Sequence, residues 1–320
     1  MTLPTLTDIQ AAHLRISPFI HRTPVLTSNQ LNRIFSCELF FKCENFQKVG
    51  AFKFRGATNA VLSLTDGQKK AGVVTHSSGN HAAALSLAAG INGIKAYIVM
   101  PENAPSVKKN AVAGYGAEIT YCKPTLRARE EACKAIMEST GATLVHPYDN
   151  FNVICGQGTA ALELLEERND LDLVIAPVGG GGLMSGTSTC VKGINRGIKV
   201  FGAEPLNASD AWKSFTTGIL TPSVNPLTIA DGLLTSLSEL TFSIIRKNVD
   251  EILTVTEESI ISSMKLVWER MKIIIEPSSA TVLAVIGENP ELFRGNKVGL
   301  IISGGNVDLT RLPWKEGGMA

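Results

Sequence analysis

The chain of 320 residues has no C-x-x-C pair among its six cysteines, Cys37, Cys43, Cys122, Cys133, Cys155 and Cys190. That absence argues against a zinc site or a disulfide scaffold and predicts reduced thiols in a cytoplasmic protein. A basic block is missing too: 30 Lys and Arg stand against 29 Asp and Glu, a net charge of +1. Neither nucleic acid nor an anionic membrane is the expected partner. No apolar run reaches membrane-spanning length, and residues 1–8 carry neither the charged nor the apolar region of a signal peptide. Internal repeats and low-complexity tracts are also absent. What remains is 44% apolar and only 18% charged, the balance of a well-buried α/β protein of one large or two modest domains.

Strand-like and helix-like segments alternate, which predicts parallel sheets. The expected strands are 71–76, 95–101, 118–121, 143–146, 171–178, 199–205 and 298–303. Helices are expected over 80–90, 104–114 and 125–139, and a long Ala/Leu/Glu helix after Pro147-Tyr148-Asp149. Residues 216–231 read as a surface loop.

Two segments carry chemistry. Gly179-Gly180-Gly181-Gly182 lies between an apolar strand and a helix start. Four glycines lose much conformational entropy on folding, so keeping them points to use of the bare backbone. Consecutive N–H groups at a helix N-terminus make an anion cradle, with phosphate the usual guest; a flexible turn is the alternative. In Phe52-Lys53-Phe54-Arg55-Gly56 a lysine sits between two aromatics. Desolvation makes such an amine nucleophilic and able to form Schiff bases; by itself it also reads as a snorkelling lysine. An aldehyde-binding lysine together with a phosphate-binding loop is what pyridoxal phosphate requires.

With Ser77-Ser78-Gly79-Asn80-His81 and Ser303-Gly304-Gly305-Asn306 added, the four motifs in this order identify a resemblance covering nearly the whole chain. It resembles the fold type II pyridoxal-phosphate enzymes, within them the serine/threonine dehydratases, nearest the eukaryotic-type serine racemases. The resemblance implies a tryptophan synthase β-like fold: two open parallel-sheet α/β domains with the cofactor between them. It also implies a large domain of residues 1–72 and 148–320, a small closing domain of 73–147, and a homodimer.

The resemblance further implies that Lys53 is the cofactor lysine and serves one face of the substrate, with Phe52 beside it. Ser78 then serves the opposite face as second proton carrier, where many threonine dehydratases have alanine. Read as residues alone, Ser77, Ser78, Gly79 and Asn80 cap a helix and grip a substrate carboxylate through their N–H groups. By similarity Asn80 meets the phenolic oxygen of the ring, Glu276 borders the ring and Ser303 meets its nitrogen. A bare reading makes Glu276 a strand-end carboxylate after Met271-Lys272-Ile273-Ile274-Ile275. His81 reads as a packing residue beside the substrate loop. Arg129 matches a substrate-side arginine, although Arg127-Ala128-Arg129-Glu130-Glu131 alone reads as a solvated helix face. Glu204, the Ala208 carbonyl and Asp210 form a turn suited to Mg²⁺ or Ca²⁺, a pattern related racemases and dehydratases share. Lys48 matches a nucleotide-site position, but Ala83 stands where that site has glutamine, which sets ATP as an effector in question.

The expected activity is racemisation of serine with accompanying β-elimination to pyruvate and ammonia. The alternatives are a serine/threonine or 3-hydroxyaspartate dehydratase, and a non-catalytic amino-acid or nucleotide sensor on the same fold. Lys53 speaks against the sensor. The glycine run does not match G-x-G-x-x-G, which speaks against a nicotinamide enzyme.

Overall fold

A computed structural model describes residues 2–77, 79–104 and 106–314, the side chains of 106–108 excepted. Ten strands form two sheets among these residues. The six-stranded sheet runs in the order β1 (Val25–Leu26), β2 (Glu38–Cys43), β10 (Lys297–Ile302), β7 (Leu173–Pro177), β8 (Lys199–Pro205), β9 (Glu251–Val255). The four-stranded sheet has the order β5 (Glu118–Cys122), β4 (Ala96–Pro101), β3 (Val73–His76), β6 (Thr143–Leu144). Every pair is parallel except β1 with β2. Parallel strands are covered on both faces, so they read as continuous apolar runs; all of β7 is buried, as is β10 after Lys297.

The runs expected to be strands are strands, some shorter at their ends. Three strands lie outside that list: β1, β2 and β9. In β2, Glu38 and Lys42 interrupt the apolar pattern, yet Lys42 is fully buried. Its ammonium is neutralised from another element, by Glu163 at 2.6 Å. One expectation is corrected. The stretch before Glu276 is not a strand: Lys272 closes a helix in a left-handed conformation (φ 60°), and Glu276 is the N-cap of the helix Pro277–Glu288. Proline at N1 pre-sets the helical φ and needs no N–H partner, so Glu-Pro starts a helix here.

The long expected helix, Phe151–Glu167, seats two others backbone on backbone. A Cβ on Gly156 would lie 2.6 Å from the Arg55 carbonyl and Gly56 Cα, in the helix Lys53–Leu62. A Cβ on Gly158 would lie 2.8 Å from the Gly186 carbonyl, in the helix Gly182–Ile194. The lysine helix and the helix after the glycine quartet are thus both set by one spine. Gly158→Ala should lower stability by about 1–3 kcal/mol through overpacking, although helix propensity alone favours alanine by about 1 kcal/mol. Urea midpoints decide; a stabilised variant would refute the close crossing.

Beneath the lysine helix lies a fully buried ionic cluster. Arg55 donates to Glu44 (2.7 and 2.8 Å) and to Glu163 (2.8 and 2.7 Å). Lys42 donates to Glu163 and to the Thr23 carbonyl, both at 2.6 Å, and Thr23 Oγ1 donates to Glu44 at 2.6 Å. Two cations meet two anions, and the hydrogen bonds offset the desolvation of each. No helix among the described residues is long and apolar enough to cross a membrane.

Candidate active site

Strand carboxyl ends gather the site, as open α/β sheets dictate. The Lys53 segment is fastened to the end of β10: Phe52 N donates to the Ser303 carbonyl at 2.9 Å, and Ala51 bridges Gly304. Lys53 starts its helix and donates to the Pro147 carbonyl at 2.8 Å, with Nζ 5.1 Å from the Phe52 ring centroid. Burial lowers its pKa to about 8, while the Glu276 carboxylate pulls it upward. Much of this amine is therefore neutral at slightly alkaline pH, the state a nucleophile needs.

The glycine quartet follows β7 and opens the helix Gly182–Ile194, with Gly181 in the left-handed region (φ 84°). The helix's first backbone bond is Ser185 N to the Gly181 carbonyl at 2.8 Å, so the preceding amides are the orphan N–H groups of a helix start. The outer side of the loop is tightly packed. A Cβ on Gly180 would overlap the Tyr148 ring at 2.3 Å, and one on Gly182 would meet Tyr148 Cβ at 2.8 Å. A Cβ on Gly179 would lie 3.0 Å from the Gly232 carbonyl and from Leu233 Cα.

Ser303 is buried, with its Oγ 2.9 Å from Ser279 Oγ. Ser279 in turn takes the Gly304 N–H (2.7 Å) and donates to the Gly304 carbonyl (2.8 Å). Asn80 Nδ2 donates to both Glu276 carboxylate oxygens, at 3.1 and 3.2 Å. His81 bonds the Val145 carbonyl through Nε2 (3.0 Å), and burial pushes its pKa down to about 3. It is a neutral packing residue. His146 Nδ1 accepts from Asp149 N (2.9 Å), and burial lowers that ring to about 4. Ser77 Oγ accepts from Gly79 N at 3.3 Å, and Gly79 is the N-cap of the helix Asn80–Ile91. Ser78 lies outside the described residues. Burial, and after it the charge of Arg129 in the helix Leu126–Thr140, lowers the pKa of His76 at the end of β3. Lys48 lies in the loop before Lys53, 5.6 Å from the Phe54 ring centroid, and Ala83 is half-buried.

At the end of β8, the Glu204 carboxylate accepts from Ala211 N (2.8 Å) and Trp212 N (2.7 Å). Burial raises its pKa to about 8 and that of Asp210 to about 6. Both Asp210 carboxylate oxygens are buried with no close hydrogen-bond donor among the described residues, Ser223 and the Asp210 N–H lying near enough only to oppose the rise in its pKa, and Ala208 is buried beside them in sequence. Two desolvated carboxyl groups, one of them orphaned, fit a hard cation.

The donor set also fits pyridoxal phosphate: a partly neutral lysine, an amide cradle at a helix start, and a serine hydroxyl at a strand end. Comparison with known proteins decides the family. Residues 16–304 match the model of the pyridoxal-phosphate dependent enzymes.

The chain belongs to that family.

This pyridoxal-phosphate dependent enzyme is 55% identical over 317 residues to a serine racemase of Dictyostelium discoideum, covering 98% of each chain. It is 50% identical over 314 residues to a beta-hydroxyaspartate dehydratase of Paracoccus denitrificans, covering 98% of this chain and 100% of that one. The crystal structure of the Dictyostelium serine racemase superposes with a TM-score of 0.92 at 56% identity, covering 95% of this chain and 99% of the other. The fold is thus fold type II, α/β with two parallel sheets.

Sequence reading gave no site role to Pro147, Tyr148, Ser279 or Asn306, although Asn306 closes the Ser303–Asn306 motif; their partners in the site lie far away in the chain.

Proposed function

We propose that the enzyme interconverts L- and D-serine and also eliminates water from serine to release pyruvate and ammonia. The reading is supported most by a desolvated Lys53 amine on the Pro147 carbonyl, joined to 55% identity with a serine racemase over nearly full length. When bound, pyridoxal phosphate supplies an aldehyde that captures the amino acid and a ring that stabilises negative charge at its Cα. Glycines 179–182 would hold the phosphate through their N–H groups, and Phe52, Asn80, Glu276 and Ser303 would line the ring site. A hydroxyl such as Ser303 does not enforce ring protonation, which suits reactions where reprotonation or a leaving group relieves the charge promptly.

Lys53 takes the Cα proton on one face, since a neutral amine near pH 8 is a competent base. Ser78 exchanges a proton on the other face. Delivery there inverts the centre; departure of the β-hydroxyl instead commits the substrate to pyruvate. Ser77, Ser78, Gly79, Asn80 and His81 bound the carboxylate pocket, and Arg129 approaches it as residues 73–147 close on the remainder. Glu204, Ala208 and Asp210 bind Mg²⁺ or Ca²⁺; Lys48 stands at the ATP-effector position, with Ala83 where that site has glutamine, which speaks against the effector. The enzyme works as a cytoplasmic homodimer.

A second reading rests on the 50% identity to a hydroxyaspartate dehydratase. Purified enzyme is incubated with L-serine, L-threonine and 3-hydroxyaspartate, and the products are resolved on a chiral column. The expected result is D-serine together with pyruvate from L-serine. Ser78→Ala should cut D-serine formation about 10²-fold or more while elimination falls less. Pyruvate without D-serine would establish the dehydratase, and D-serine formation undiminished in Ser78→Ala would remove Ser78 from the mechanism.

A further inference from the structure

One amide outside the cofactor shell joins three segments of the site. Asn306 Nδ2 donates to the Val49 carbonyl (2.7 Å) and to Asn80 Oδ1 (2.9 Å), and Asn306 N donates to Glu276 Oε2 (3.2 Å). The direction of this chain is dictated at both ends. A carbonyl and a carboxylate only accept, so Asn306 must turn its NH₂ toward Val49, and Asn80 must turn its NH₂ toward Glu276. Asn80 Oδ1 is then left to accept from Asn306.

Val49 has φ 57° and ψ 12°. A β-branched residue in the left-handed region is a true outlier, kept only where its surroundings enforce it. Its turn leads within four residues to Lys53. Gly305 N fastens the same turn through the Gly50 carbonyl (2.9 Å), and a Cβ on Gly50 (φ 68°) would lie 2.8 Å from Asn306 Oδ1. Asn306 therefore touches the strained approach to the lysine, the first residue of the Asn80–Ile91 helix and the carboxylate that faces the lysine.

We infer that Asn306 is a positioning residue: it clamps the strained Val49 turn and holds the Asn80 amide in place by donating to its Oδ1 while its NH₂ faces Glu276. The inference rests on the reading of Lys53 as the cofactor lysine. Loss of the clamp leaves Asn80 Oδ1 without its donor, loosening the residue that by similarity meets the phenolic oxygen, and lets the Val49 turn relax.

The test uses Asn306→Ala, Asn306→Ser, which retains one donor, and Asn306→Ala combined with Val49→Gly. Two quantities are read: pyridoxal-phosphate affinity by titration of apoprotein, and amide hydrogen exchange in the apoprotein. Asn306 is exposed, so its truncation leaves the protein folded. Asn306→Ala should weaken cofactor affinity about three- to tenfold and speed exchange at residues 48–54 and 80–84 alone, with Asn306→Ser intermediate. Glycine adopts φ near 57° without strain, so Val49→Gly should restore slow exchange at 48–54 but not at 80–84. Unchanged affinity and exchange in Asn306→Ala would overturn the clamp, as would acceleration spread evenly over the protein. Failure of wild type to bind pyridoxal phosphate at Lys53 would instead strike the proposed function, because the exchange pattern of the apoprotein is read without cofactor.

Discussion

Lys53→Ala should abolish both racemisation and elimination, lowering each rate by about 10²–10⁴-fold or more. It should also leave the protein without the borohydride-stable cofactor that wild type carries on the peptide containing residue 53. Folding should survive, because among the described residues the Lys53 ammonium donates to the Pro147 carbonyl alone, and truncation removes a desolvated cation. Full activity in Lys53→Ala, or a label on another lysine, would refute the assignment. The same amine sets a pH dependence. Its pKa is lowered from 10.5 to about 8, and the neutral form is the nucleophile. Cofactor uptake by apoprotein should therefore rise with pH through a midpoint near 8, as stopped-flow absorbance would follow. An ordinary exposed lysine would place that midpoint beyond pH 10.

Arg55→Met should produce the largest loss of stability, about 3–5 kcal/mol, because it leaves the fully buried Glu44 carboxylate without its cation and Glu163 with Lys42 alone. Adding Glu44→Gln should recover part of that loss, since one stranded charge is removed. Denaturant midpoints of the single and double variants measure both effects. A loss below about 1 kcal/mol would mean the cluster contributes no more than a surface ion pair. The cluster also gives a pH signature. Arg55 and Lys42 hold the Glu163 pKa below its ordinary 4.5, against the opposing effect of burial. Its contribution is present above pH 4.5 and lost as pH falls through the lowered value.

The outcome of sequence reading differs from element to element for physical reasons. Apolar runs such as Leu173–Pro177 and Lys297–Ile302 are legible because parallel strands are buried on both faces. Strand β2 is not, because Lys42 looks solvated until Glu163, 121 residues away, is brought to it. Glu276 was misread as a strand end, though Glu-Pro carries the signal of an N-cap followed by N1. Lys53 and the glycine quartet stand out because a nucleophile and an anion cradle each need a short, local pattern. Tyr148 and Ser279 act through neighbours far away in the chain, so no window of sequence contains their role; Asn306 sits in a legible motif, but its ties to Val49, Asn80 and Glu276 exist only in the fold.

The order and chemistry of the motifs by themselves determined the family, the cofactor class and the parallel two-sheet architecture, because backbone cradles and apolar strands are written in consecutive residues. Only the tertiary structure decided how basic the Lys53 amine is, which side chains crowd the glycines, and that one asparagine ties the strained turn to the far sheet. Those properties depend on desolvation and close contact between distant segments, which exist only once the chain has packed.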